Sequence, residues 1–201
     1  MRLLIATKNR GKKREYEELL SGLALDLVMP EELGIDLQVV EDGSTYTENA
    51  LLKARAYARA TGMLTLADDS GLEVDALRGQ PGGRSARYAW EGASDEDRYE
   101  LLLRNLTSVF DARRSARFRC AIALVWPDGR ERVVKGVCEG RITRQPRGEH
   151  GFGYDPVFFV PDYGCTMAEL PPEVKNRISH RARAAVAACK VLEEHLRQPR
   201  S

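Results

Sequence analysis

Between Ser115 and Thr143 the chain reads SARFRCAIALVWPDGRERVVKGVCEGRIT, two long strand-like stretches on either side of a turn at Pro127 to Gly129. Phe118, Cys120, Ile122 and Leu124 alternate along the first stretch, and the short Pro-Asp-Gly segment supplies hairpin chemistry. Strands joined this tightly must run antiparallel, because a parallel pair needs a crossover of a dozen or more residues. A purely parallel βαβ sheet is therefore excluded.

The remaining segments alternate between strand and helix. RLLIAT at the N-terminus reads as a buried strand, and GKKREYEELLSGL reads as a helix closed by Gly22. A short strand is expected at Leu25 to Met29, followed by an acidic loop from Pro30 to Gly43. Thr45 and Glu48 have capping-box spacing, and Ala50, Ala54, Tyr57, Ala58 and Thr61 form one face of a helix that should stop at Gly62. A strand at Leu64 to Ala67 then ends in Asp68 and Asp69, with a second strand expected in LEVDAL. Ser94 and Asp97 can cap a helix running to about Leu106. A strand is expected at Val157 to Val160, and a last helix buries Ala182, Ala185, Cys189, Leu192 and Leu196. The pattern predicts an α/β fold with a mixed sheet, in a single domain over residues 1–201.

Composition narrows the function. Thirty-one basic residues face 30 acidic ones, leaving a formal charge of +1, so no global field favours nucleic acid or an anionic membrane. No run of eighteen apolar residues occurs, which predicts a soluble, cytoplasmic protein with neither nucleic acid nor membrane as partner. Cys120, Cys138, Cys165 and Cys189 lack the close pairs of a zinc site and read as buried free thiols.

Four segments carry candidate chemistry. TKNRGK, Thr7 to Lys12, lies between the first strand and helix, where amides of a helix start attract phosphate, although it is neither a Walker loop nor a dinucleotide fingerprint; a polar loop capping a helix with an exposed basic face is the alternative. Carboxylates at the end of a buried strand can hold a divalent metal. On a strand of period two, Asp68 and Asp69 face opposite ways, so one would meet the site and the other support it. Asp69 is the better candidate for the site, and a plain turn with Ser70 and Gly71 is the alternative. In HGFGYDP, Phe152 and Tyr154 are set between glycines, where a ring could stack on a nucleobase and Asp155 could accept a ring N–H; packing of these aromatics into a core is the alternative. In KNRISHRARA, His180 and Arg181 would fall in the first turn of the last helix, a place where the helix dipole disfavours cations and an anion or electron-rich carbonyl would compensate; a solvated basic helix face is the alternative.

Together, ATKNRGK, TYTENALLKARAYA, ADDSGLEVDALRGQPGGRSARYA, GFGYDPVFFVP and KNRISHRARA resemble, in order, the inosine triphosphate pyrophosphatase family of Ham1-like, RdgB-type enzymes. The resemblance implies an elongated mixed β-sheet flanked by helices, two lobes around a central cleft, a homodimer, and Mg²⁺ as cofactor. It implies hydrolysis of ITP, dITP and XTP to the monophosphate and pyrophosphate, cleansing the nucleotide pool. By the same resemblance, Thr7, Asn9 and Lys12 bind the triphosphate, Glu41 and Asp69 hold the metal, and Asp69 is the proton acceptor. Ser70, Phe152, Gly153, Tyr154, Asp155, Lys175, His180 and Arg181 match substrate-contacting positions. Lys8 stands where many members have glycine and adds charge beside the phosphates.

Two other readings are weaker. A Maf-type nucleotide pyrophosphatase would be expected to open with Ser-x-Ser-x-Arg-Arg, which is absent here. A non-catalytic nucleotide binder would have no need of Glu41 and Asp69.

Overall fold

A computed structural model describes residues 1–197 of the chain. The strands are β1 (Arg2–Ile5), β2 (Asp26–Val28), β3 (Thr65–Val74), β4 (Ser115–Val125), β5 (Glu131–Ile142), β6 (Phe158–Val160) and β7 (Cys165–Thr166). They form one seven-stranded sheet in the order β2-β1-β3-β4-β5-β6-β7. Strand β1 pairs in parallel with β2 and β3, whereas β6 is antiparallel to β5 and to β7, so the sheet is mixed. The helices are α1 (Arg10–Leu19), α2 (Tyr46–Thr61), α3 (Asp95–Asn105), α4 (Pro172–Ile178) and α5 (His180–Arg197).

The chain divides into two compact units. The first comprises Met1–Asp69, Cys120–Gly136 and the residues from Arg181 onward; the second comprises Ser70–Arg119 and Val137–His180. Strands β3, β4 and β5 contribute residues to both.

In the first unit, strand alternation builds two cores. Leu3, Ile5, Leu66, Cys120, Ile122 and Leu124 pack with Tyr16 and Leu20 and with Ala184, Ala185, Ala188 and Leu192 of α5. The other face presents Leu4, Ala6, Ala67, Ala121, Ala123 and Val125 to Ala50, Ala54, Tyr57 and Ala58 of α2. Small side chains on both sides of the second core let a helix lie close on the sheet. Helix α2 has the expected ends: Thr45 Oγ1 accepts from the Glu48 amide (3.1 Å), and Gly62 closes it in the left-handed conformation (φ 65°).

In the second unit Leu72, Val74, Leu102, Leu106, Phe118, Ile142, Tyr154, Val157 and Phe158 form the core. Ser94 and Asp97 make the expected capping box at the start of α3. At the other end, the buried Arg114 guanidinium donates to the carbonyls of Leu106 (2.8 Å), Ile142 (2.9 Å) and Thr143 (2.7 Å). A cation there satisfies a carbonyl exposed by the helix end and anchors it to the end of β5.

Three expectations are corrected. Helix α1 ends at Leu19, capped by Leu20, so Gly22 does not close it. Asp68 and Asp69 do not terminate a strand or form a turn, because β3 runs unbroken from Thr65 to Val74. Of the four thiols, Cys120 and Cys138 are buried, while Cys165 and Cys189 are only half-buried.

Candidate active site

In the first unit the phosphate-loop candidate runs from β1 into α1. Thr7 Oγ1 accepts from the Asn9 amide (3.2 Å), and Asn9 caps the helix by accepting from the Lys12 amide (3.0 Å). That local pattern fixes the loop and aims the start of α1, where amide dipoles favour an anion. The ammonium of Lys8 pairs with Asp36 on the surface. Lys12 turns inward, its Nζ 2.9 Å from Asp68 Oδ2.

Asp68 and Asp69 have different surroundings, as strand alternation requires. Asp68 is only 1% exposed. Its Oδ2 faces Lys12, accepts from the Cys120 thiol (3.8 Å), and lies 3.4 Å from Nη2 of Arg181. Arg181, itself 2% exposed, also pairs with Glu15 (2.5 Å). Burial alone would raise the Asp68 carboxyl, but Lys12, Arg181 and Lys53 outweigh it and hold the group well below the usual carboxylate range. The same burial, together with the charge of Asp68, pushes the Cys120 thiol far up and leaves it un-ionised.

Asp69 is half-buried and shifts the other way. Burial, with a smaller contribution from Glu41, raises its carboxyl above the usual range against the opposing pull of Asn49, Lys12 and Lys53. Asn49 Nδ2 donates to Asp69 Oδ2 (3.1 Å), and Asn49 Oδ1 accepts from the Gly43 amide (2.8 Å). A Cβ on Gly43 would stand 2.7 Å from both Asn49 Oδ1 and Glu48 Cβ, so glycine is what lets the loop after Glu41 close on α2. Lys53 Nζ bridges Glu41 Oε2 (2.9 Å) and the Asp68 carbonyl (3.2 Å).

Asn49 and Lys53 lie within TYTENALLKARAYA but are not among the residues matched to the site from the sequence. Their spacing of four on an alanine-rich helix puts both on one face. Glu41 and Asp69 offer hard oxygen donors, the donor chemistry of magnesium. Among the described residues no cluster of three or more His, Cys, Asp or Glu side chains is gathered for a metal. Two carboxylates nevertheless suit an ion that takes one or two from protein and completes its shell with water and phosphate.

The second unit gathers the other candidates. Ser70 follows Asp69 on β3 and is half-buried. The segment Gly151–Asp155 winds around a carboxylate: Asp155 Oδ2 accepts from the Phe152 amide (2.9 Å) and from Lys175 Nζ (2.6 Å). Gly151 has φ 78°, and a Cβ there would lie 2.1 Å from that same oxygen. Lys175 also sits 4.6 Å from the Phe152 ring centroid. His180 stacks on Phe118, with centroids 4.7 Å apart and planes 13° from parallel.

Side-chain roles read from the sequence change here. The Tyr154 ring is 4% exposed, packs in the core and donates its hydroxyl to the Ser85 carbonyl (2.8 Å), so it is not a stacking platform. Phe152 stays half-buried and keeps that possibility. The Asp155 carboxylate holds its own loop together through Oδ2. Arg181 is buried and pairs with Glu15 and Asp68 through part of its five-donor guanidinium.

Comparison with known proteins agrees along nearly the whole chain. The model of the Ham1 family matches residues 3–191. A dITP/XTP pyrophosphatase of Geobacter sulfurreducens is 51% identical over 195 residues, covering 97% of this chain and 96% of that relative. One from Bacillus subtilis is 46% identical over 190 residues, covering 94% and 96%. Among solved structures, the Staphylococcus aureus Ham1 protein superposes with a TM-score of 0.87 at 42% identity, covering 97% of this chain and 100% of that one. A HAM1 protein from Coxiella burnetii gives 0.88 at 43%, covering 96% and 99%.

Proposed function

The chain belongs to the Ham1 family, and from this premise we infer that it hydrolyses non-canonical purine nucleoside triphosphates such as dITP, ITP and XTP to the monophosphate and pyrophosphate. The observation that carries this reading is the 51% identity to a dITP/XTP pyrophosphatase across 97% of the chain. We read residues 1–201 as one Ham1-like domain. On the family resemblance, we also propose a cytoplasmic homodimer. No helix among the described residues is long and apolar enough to cross a membrane.

In our assignment, the first unit handles the triphosphate. Thr7, Asn9 and the start of α1 offer hydrogen bonds to phosphate oxygens, and Lys8 adds surface charge. The Lys12 ammonium has three donors, so it can meet a phosphate while still bound to Asp68. Magnesium, held by Glu41 and Asp69, would offset negative charge on the phosphate oxygens. Asp69 accepts the proton of a water attacking the α-phosphorus in line with the leaving pyrophosphate. Its raised basicity favours that task, and Asn49 keeps the carboxylate oriented. Lys53, which neutralises Glu41 here, would share or yield that carboxylate when the metal binds.

The second unit handles the base. Phe152 offers a ring face for stacking, and the backbone of Gly153 and Tyr154 shapes the turn beneath it. Lys175 and Asp155 hold that turn, while Ser70 contributes a hydroxyl beside Asp69. Hypoxanthine and xanthine present a 6-keto acceptor, which we assign to the His180 imidazole; adenine presents a donor there and would leave the imidazole N–H unmatched. Sites of this kind discriminate by ~10⁴-fold or more.

Product analysis tests the reading. With Mg²⁺ present, dITP and XTP should release pyrophosphate and no orthophosphate, while ATP is spared. Orthophosphate as the initial product would refute pyrophosphohydrolysis. Turnover undiminished by chelation of divalent ions would refute the magnesium assignment.

A further inference from the structure

We infer that Asp95 is a positioning residue that sets where the aromatic loop Gly151–Asp155 presents Phe152, and thereby controls affinity for the purine ring. The inference rests on the assignment of that loop to the base. Asp95 lies 58 residues from the loop in sequence, and neither its motif nor its neighbours mark it as part of a site.

The loop is tied in two ways. One tie is internal, from the Phe152 amide to Asp155 Oδ2, and Lys175 of α4 holds the same oxygen from outside the loop; neither reaches helix α3. Other external hydrogen bonds complete the arrangement, among them one from the Ala168 amide to the Asp155 carbonyl (3.2 Å). Tyr154 donates to the Ser85 carbonyl (2.8 Å), and the Gly153 amide donates to Asp95 Oδ2 (2.7 Å). Gly153 is in the left-handed conformation (φ 66°), a region where glycine meets little steric resistance to moving. The Asp95 bond is therefore what pins the residue next to Phe152 at its most pliable point.

Asp95 is well placed to act as a fixed reference. It is the first residue of α3, where the unpaired amides of the helix start stabilise a carboxylate. The capping box holds that start: Ser94 Oγ accepts from the Asp97 amide (3.0 Å), and Asp97 Oδ2 accepts from the Ser94 amide (2.8 Å). Arg98 takes the second oxygen of Asp95 (Nη1 to Oδ1, 2.7 Å) and also donates to the Ala93 carbonyl (2.6 Å). With one oxygen held by Arg98, the other is oriented toward Gly153. The bond to the loop is a charge-assisted one to an ionised acceptor, the stronger kind.

Asp95→Ala and Asp95→Asn separate this role from a merely structural one. Asparagine keeps a carbonyl oxygen for the Gly153 amide, whereas alanine removes it. Three quantities are read on the full chain: steady-state dITP hydrolysis, inhibition by inorganic tripolyphosphate, and inosine binding by calorimetry. Asp95→Ala should raise KM for dITP and the inosine Kd by about tenfold, with kcat within about twofold of wild type. Tripolyphosphate inhibition should not move, and Asp95→Asn should recover most of the lost inosine affinity. Equal weakening of inosine and tripolyphosphate, unchanged inosine affinity, or an Asp95→Asn variant no better than Asp95→Ala would overturn the role. The proposed activity is judged separately: wild-type protein that releases no pyrophosphate from dITP defeats that reading, while the inosine measurement still decides the fate of Asp95.

Discussion

Asp69→Asn is expected to yield a folded protein that binds dITP and does not turn it over. A positioned general base contributes ~10²–10⁴-fold, and Asp69 is also assigned to the metal, so pyrophosphate release should fall by at least ~10³-fold. The substitution is nearly isosteric and keeps an oxygen for the Asn49 amide. It should also spare stability. The Asp69 carboxyl lies above its usual range, so its ionised form is disfavoured by the fold, and a neutral amide removes that penalty. Pyrophosphate release, dITP calorimetry and urea unfolding check the three parts. Substantial turnover by the variant would remove Asp69 from the chemistry.

The neighbouring substitution, Asp68→Asn, should have the opposite profile. Asp68 is buried against Lys12 and Arg181, and removing one partner of a buried ion pair costs about 3–5 kcal/mol, because the remaining charge stays desolvated. Arg181 keeps Glu15, which places the expected loss near 3 kcal/mol, the lower end of that range. The pH dependence has a definite sign. The folded Asp68 carboxyl is held below its unfolded value of about 3.9, so its stabilisation is complete above that pH and is lost as pH falls through and below it. Wild-type protein should lose stability on acidification below about pH 4, and Asp68→Asn should show a smaller loss. Urea unfolding from pH 2 to 7 measures both, and an Asp68→Asn variant as stable as wild type would show that the cluster is not ion-paired in solution.

The different fates of two adjacent aspartates also show how far the sequence could be read. Period-two alternation was enough to put them on opposite faces with different surroundings. Their strand context was misread, since Asp-Asp-Ser-Gly has the local chemistry of a turn. In the fold, β3 runs on past its pairing with β1 at Thr65 and Leu66, with β4 beside it in the sheet. Its buried charge is met by Lys12 and Arg181, which are 56 and 113 residues away. The ends of α2 and α3 were legible because Thr45, Gly62, Ser94 and Asp97 act on their own backbone within four residues. The end of α1 was not, since Gly22 lies past a chain that had already left the helix at Leu20. The two-residue strand β7 is too short to show alternation at all.

By itself, then, the sequence determined the mixed α/β class, the helix caps, and the residue types on which a nucleotide site could draw, because each depends on short-range periodicity or on motifs in a recognisable order. Only the tertiary structure decided which carboxylate is buried among cations and which is half-buried, that Tyr154 is core while Phe152 stays half-buried, and which partners Asn49, Lys53 and Asp95 find. Those outcomes depend on burial and on partners distant along the chain, such as a backbone amide at Gly153 meeting a carboxylate at Asp95. Every residue but proline has such an amide, so no pattern of side chains can announce which one will be used.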